Sequence, residues 1–401
     1  MPKYIEKKFK KNNSNKEQNK IEKEKSNSVK IFGFASLLND LGANLIYPIW
    51  PLFLTTVLGA NMSILGLVDG LGDALVSLSQ AASGYASDRM KKRKIFIWAG
   101  YLLGAFSRIG YAITTTWQMI IPFRILDRSG KIRDSPRDAI IADESNKTNR
   151  GRNFGIIKGM DKFGGVLGII LCIWLVNLIG YQTLFLIAAI PSLISVALVL
   201  YFIKEKNKPT TKLYQGIKIS NLNKNYKLFL ILSSIFALGS FSYSFLMVFA
   251  NKAGYELTFI PFFYLLYVIV TAAFSLPFGK LSDKIGRKNG MYIALIFWAL
   301  ACMTFIFINA WWAIPLTFIL YGLHDAALGP IQTTFVSELA PKKFKASAIG
   351  GFQMCIGLCA LPASLIAGIL WDTMGKTTPF ILSLFLTLIA IILLYFVKET
   401  K

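Results

Sequence analysis

Runs of about twenty apolar residues return along most of the chain, and no other feature limits its folding as much. Each run is long enough to cross roughly 30 Å of hydrocarbon at about 1.5 Å per helical residue. A bilayer core offers no water to backbone N–H and C=O groups, so only helices and closed barrels span it. These runs lack the period-two alternation of barrel strands, which leaves helices. Twelve spans are expected, over 31–58, 62–86, 95–115, 117–141, 151–177, 180–203, 227–251, 257–282, 289–309, 312–337, 344–370 and 376–398.

Composition agrees. The 401 residues are 54% hydrophobic, more than soluble domains carry. The net charge of +23 raises the question of nucleic acid, but basic residues beside membrane helices account for it, so the expected surroundings are a lipid bilayer and no nucleic acid. Cys172, Cys302, Cys355 and Cys359 all lie in apolar runs. They imply no disulfide framework, and without His or acidic partners no metal site. No phosphate-binding loop of the Walker type occurs, so no nucleotide or other cofactor is expected.

Residues 1–30, with ten Lys and four Glu, read as a disordered basic tail without a signal-peptide pattern. The polar, Lys-rich stretch 204–226 divides the chain into six-span bundles over 31–203 and 227–401. One set of loops carries Arg89, Lys91 to Lys94, Lys284, Arg287, Lys342 and Lys343, while the opposite set carries only Lys252 and Lys376. This asymmetry places both termini and the central loop in the cytoplasm of a multi-pass plasma-membrane protein, expected as a monomer.

The two halves repeat. A shift of 195 residues superimposes Gly84 on Gly279, Asp88 on Asp283, Trp117 on Trp312, Gly155 on Gly350 and Gly180 on Gly375. Internal repeats of this kind mark secondary transporters and put the substrate site at the interface between the repeats, near the bilayer midplane.

GYASDRMKKRK (84–94) and GKLSDKIGRK (279–288) fall at matching turns of the two halves. Both resemble the G-x-L-x-D-R-x-G-R-[RK] signature of the major facilitator superfamily, although the first copy lacks the inner glycine. The resemblance implies two pseudo-symmetric six-helix bundles that rock about a central site. It also implies a gating cluster of Gly84, Asp88, Arg89, Gly279, Asp283 and Arg287, with Gly84 allowing close helix approach. LGANLIYPIWP (41–51) is similar to a pattern of twelve-span drug/proton antiporters of that superfamily, through Gly42, Pro48 and Pro51. Prolines there kink the helix. The fourth span partly resembles another antiporter motif: Arg124 fits, Asp127 stands where Gln is usual, and Gly130 falls two positions late.

The stretch 123–167 carries ten Lys/Arg and six acidic residues between apolar runs. Charges at membrane depth each cost about 2.5–3.5 kcal/mol, so they pair, face a water-filled cavity and mark a substrate or ion path. Arg124, Asp127, Arg128, Lys131, Lys158, Asp161, Lys162, Gln332 and Gln353 are therefore expected to line the substrate cavity, with Asp161 paired to a cation of span four. Asp40, Asp69, Asp73, His324 and Asp325 are the candidates for proton loading, because desolvation raises a carboxyl pKa toward neutrality. His324 has a competing reading as a hydrogen-bonded core residue. The expected function is alternating-access transport, with the antiporter-like pattern implying proton-coupled export of a small drug-like or siderophore-like solute. A permease for organic or phosphorylated anions is the competing reading. An enzyme is disfavoured, for no nucleophile–base pair is present.

Overall fold

The computed structural model describes residues 27–145, 149–205, 222–308, 310–340 and 345–399, and of Arg150 and residues 345–347 the backbone alone. The expected tail before residue 27 and most of the 204–226 linker lie outside the described residues. The first helix is already formed at 27, the first described residue, ahead of the expected 31, and Val29 and Phe32 reach the core.

Twelve helical units follow. α1 (27–44) turns at 45–49 and resumes as Trp50–Leu52 and a π-helical turn, Phe53–Val57. α2 is Met62–Met90 and α3 Lys94–Ile113. α4 runs Trp117–Ser129, tightens to a 3-10 turn at Gly130–Arg133 and continues over Asp134–Glu144. The helix Arg150–Phe202 is divided by Gly180 (φ 72°, ψ 175°) into α5 and α6. α7 comprises Lys224–Gly239 and Ser244–Lys252. α8 is Ile260–Ile285, α9 Arg287–Phe307, α10 Ala313–Leu339, α11 Lys345–Met374 and α12 Thr378–Tyr395. Among the described residues nine helices are long and apolar enough to cross a membrane, the α5–α6 helix serving for two crossings. α1 and α4 complete the twelve. A proline turn interrupts the first and buried charges dilute the second. Pro48 sits in the turn of α1 and Pro51 in the first turn after it, so the expected kink is a full break.

The repeat is written into the backbone. Six described residues have positive φ, and they form three pairs 195 apart: Gly59 with Gly254, Lys91 with Gly286, and Gly180 with Gly375. The missing inner glycine of the first motif copy is thus replaced by a left-handed Lys91 (φ 54°). Between the halves α2 packs along α11 and α5 against α8, contacts that exchange under the six-helix shift.

Helices come closest at glycines. A Cβ on Gly66 would lie 2.0 Å from the Ser364 carbonyl oxygen, and one on Gly368 2.3 Å from that of Met62. Gly164 approaches the Leu37 carbonyl to 2.2 Å on the same measure. The motif glycines differ from expectation: a Cβ on Gly84 would make an ordinary 3.5 Å contact with Ser135, and one on Gly279 would meet nothing within 4 Å. The demanding position of the second copy is Gly286, at φ 91° and ψ 155°. A side chain there costs about 1–3 kcal/mol in backbone strain. Gly286→Ala is therefore expected to lower the thermal unfolding midpoint in detergent, whereas Gly279→Ala leaves it unchanged.

Candidate functional site

The charges of α4 divide into two groups at the 3-10 turn. Before it, Arg124 and Arg128 point into the N-terminal half. The Arg124 Nη2 donates to Asp69 Oδ1 at 2.6 Å, and both side chains are 2% exposed. Arg124 also lies 4.3 Å over the Trp50 ring and 3.8 Å from Asp127. Arg128 pairs with Asp127 at 3.7 Å and donates to the Tyr47 hydroxyl at 3.4 Å. Gly72 leaves room for both guanidinium groups, since a Cβ there would come within 3.1–3.3 Å of them. Arg124 and Arg128 therefore do not line the cavity; a buried cation needs its counter-ion beside it, and both have one. Asp73 is half-buried on the same face of α2, in the field of Arg128.

After the turn, the charges face a cavity of about 300 Å³ between the halves. α1 contributes Asp40 and Asn44, and α4 contributes Lys131, Arg133, Asp134 and Arg137. α5 adds Lys158, Asp161 and Lys162, while the C-terminal half supplies Tyr264, Tyr267 and Val268 from α8. Asp134 lies 3.8 Å from Lys131 and 3.6 Å from Arg133, and Arg137 lies 3.9 Å from Asp161, the expected pairing with span four. Lys158 and Lys162 have no ion-pair partner among the described residues. A small recess behind the cavity is bounded by Asp40, Asp127 and Arg108.

Arg108 was not legible as a site residue. It is 2% exposed and donates to the carbonyls of Ala188 (2.9 Å) and Asn39 (3.1 Å) and to the Ser192 hydroxyl. Gly42 exists for it: a Cβ there would lie 2.3 Å from Arg108 Nη1 and 2.4 Å from the Ala188 oxygen.

Four expected site residues lie off the cavity walls. His324 is 1% exposed, donates Nδ1–H to the Ala294 carbonyl at 2.8 Å and is ringed by Phe236, Trp298 and Tyr321, so it is a bonded core residue. Gln332 is half-buried and Gln353 exposed, and neither belongs to the walls of the cavity. Asp325, beside His324, accepts from the Tyr267 hydroxyl and so stands one layer behind the α8 wall.

One end of the molecule carries the repeated motif, and there the charges stay within each half. Arg93 donates to Asp88 (3.0 Å) and to Asp143 of α4 (2.8 Å). Arg287 donates to Asp283 and, at 3.2 Å, to Glu338 of α10. Burial works against the Arg93 charge, but the hydrogen bonds to Asp88 and Asp143 outweigh it and raise its pKa. Asp143 and Glu338 are another pair 195 apart. Glu205 accepts from the backbone N–H of Arg93 and Lys94, and Glu399 from that of Arg287, capping α3 and α9 alike. Arg93, not the exposed Arg89, thus makes the clamp of the first copy.

Contacts between the halves collect toward the other end. Asp372 of α11 accepts from the backbone N–H of Met62 (3.1 Å) and Ser63 (2.7 Å) and from the Ser63 hydroxyl (2.6 Å). Asp69 accepts, besides Arg124 and Trp50 Nε1 (2.9 Å), the hydroxyls of Ser242 (2.8 Å) and Ser244 at the break in α7. Tyr243 donates to the Tyr47 carbonyl at 3.2 Å. At the motif end Gly155 and Gly159 of α5, Gly279 of α8, Gly329 of α10 and Gly350 of α11 meet open space.

Models of the Major Facilitator Superfamily match residues 32–274 and 229–401. The chain belongs to the Major Facilitator Superfamily. It is thus a membrane transporter and not an enzyme. An uncharacterized MFS-type transporter of Methanocaldococcus jannaschii is 38% identical over 408 residues, covering 98% of this chain and 99% of that one. The multidrug resistance protein MdtG of Salmonella arizonae is 26% identical over 315 residues, 75% of this chain and 78% of that one. The fold also matches the nucleoside transporter NupG, with a TM-score of 0.75 at 16% identity over 93% of this chain and 100% of that one.

The Asp69–Arg124 pair yields a direct expectation. Removing one member of a buried pair strands the other charge at a cost of about 3–5 kcal/mol. Asp69→Ala is expected to unfold at markedly lower temperature in detergent, and Asp69→Ala with Arg124→Leu to recover part of the loss.

Proposed function

We propose that the protein moves a small organic anion across the plasma membrane by alternating access, coupled to protons. The observation that carries this reading is the cavity between the halves, where Lys158 and Lys162 of α5 are exposed and form no ion pair among the described residues, while Asp161 between them leans to Arg137. Five cations against three carboxylates line the cavity, and such an excess of one sign in a cleft attracts an anionic solute. Carboxylate and phosphate oxygens accept short charge-assisted hydrogen bonds from such groups.

The motif end, rich in Lys and Arg, faces the cytoplasm together with both termini. The seals made by Asp372 and by Asp69 with Ser242 and Ser244 lie toward the outer end, and the glycines in open space lie at the inner one. The arrangement therefore corresponds to an inward-open state. Asp40 is the proton-site candidate on the walls of both the cavity and the recess, whereas Asp69 is fully engaged by four donors.

A second reading is export of a drug-like compound. It draws support from the Gly42–Pro48–Pro51 pattern and from the multidrug resistance relatives. Flux in proteoliposomes under an imposed pH gradient separates the two. Uptake or release of small carboxylates and organophosphates is expected. Lys158→Ala and Lys162→Ala should each reduce it about tenfold or more, the worth of one charged hydrogen bond. Flux of organic cations undiminished by either change, with no anion flux, would favour the drug-export reading.

A further inference from the structure

The charges around the central cavity are not shared between its two walls. Every fixed charge on the lining belongs to α1, α4 or α5, and the facing wall of α8 offers tyrosines. Behind those tyrosines stands Asp325. Its carboxylate has no cationic partner among the described residues, and the imidazole next to it is engaged with the Ala294 carbonyl. A carboxylate at membrane depth without a counter-charge calls for one. Tyr267 donates its only O–H to Asp325, so its phenol oxygen has lone pairs and nothing to donate. The carboxylate polarises that O–H and strengthens the oxygen as an acceptor. Tyr321 stacks on Tyr267 (4.7 Å between centroids, 15° between planes) and holds the ring in place. Tyr264 joins it on the cavity wall. Ring faces and an acceptor backed by a carboxylate suit an ammonium or another N–H donor, and repel a bare anion.

We propose that the substrate is a zwitterion. Its anionic group rests on Lys158 and Lys162 of α5. Its ammonium group rests against Tyr267 of α8, with Asp325 supplying the counter-charge through the phenol. The proposal deepens the anion reading and rests on it. Its added content is the cation subsite in the C-terminal half, with Tyr267 touching solute and Asp325 as a positioning residue. A solute with both groups would bridge the two halves across the α5–α8 contact. A simple anion would engage one half alone.

The test uses the full-length protein in detergent and matched straight-chain probes over a series of lengths: the ω-amino acids, the carboxylic acids without the amine, and the amines without the carboxylate. Binding is read by titration calorimetry. The ω-amino acid of fitting length is expected to bind at least about tenfold tighter than either partner, the discrimination that an unpaired buried polar group imposes. Tyr267→Phe and Asp325→Asn should reduce that preference to near parity, while the carboxylic acid keeps its affinity in both variants. The retained carboxylic-acid binding reports that the variants are folded. Equal binding of acid and amino acid by the unaltered protein would overturn the cation subsite and leave the anion reading standing. Binding of the amines alone would overturn both. Binding of no probe at any length, or a preference that survives both substitutions, would overturn the zwitterion proposal.

Discussion

Hydrocarbon does not solvate charge, and the Asp69–Arg124 pair shows how far this protein goes to respect that. Two side chains with 2% exposure sit 2.6 Å apart, and every remaining lone pair of the carboxylate is offered a donor: the indole of Trp50 and the hydroxyls of Ser242 and Ser244. A buried ion pair need not add stability even with its carboxylate fully bonded, but its dissolution would be expensive. Much of the N-terminal half is arranged around keeping it intact. Gly72 makes space for the guanidinium groups, Asp127 bridges Arg124 and Arg128, and the 3-10 turn of α4 directs the later cations elsewhere.

The same economy governs the division between the halves. The ion pairs of the described residues join groups of one half, including the mirrored clamps at Arg93 and Arg287. What crosses from half to half is glycine packing and hydrogen bonds from hydroxyl or amide donors. Parting the halves therefore separates no salt bridge of the described residues. The bonds that must break are individually worth about 1 kcal/mol, or about 1.5–3 kcal/mol where a carboxylate accepts.

Much of this was legible in the chain itself. Apolar runs gave the helix number, and the 195-residue shift gave the relation of the halves, because a repeat in sequence preserves backbone conformation down to the positive-φ residues. The charged stretch 123–167 announced the cavity, and Lys131, Lys158, Asp161 and Lys162 do face it. Which way each charge points was not legible. Helical spacing puts Arg124, Arg128 and Lys131 on one face, yet the tightening at Gly130 turns Lys131 away from the other two. Arg108 escaped notice because it is a single cation in an ordinary apolar helix, and its partners are carbonyls contributed by α1 and α6. The capping by Glu205 and Glu399 was not legible either, since it depends on where a chain end folds back.

The seal at Asp372 differs in kind from the one at Asp69. It consists of the exposed Asp372 carboxylate at the first turn of α2, where the dipole of the helix favours a negative group. Salt screens the dipole part of this contact, but the hydrogen bonds themselves, at 2.6–3.1 Å, lie well inside a Debye length of roughly 10 Å at 0.1 M and lose little. The innermost latch is wrapped in protein, and the outermost one meets the solvent. Of the two latches, the exposed one is thus the one that water reaches first.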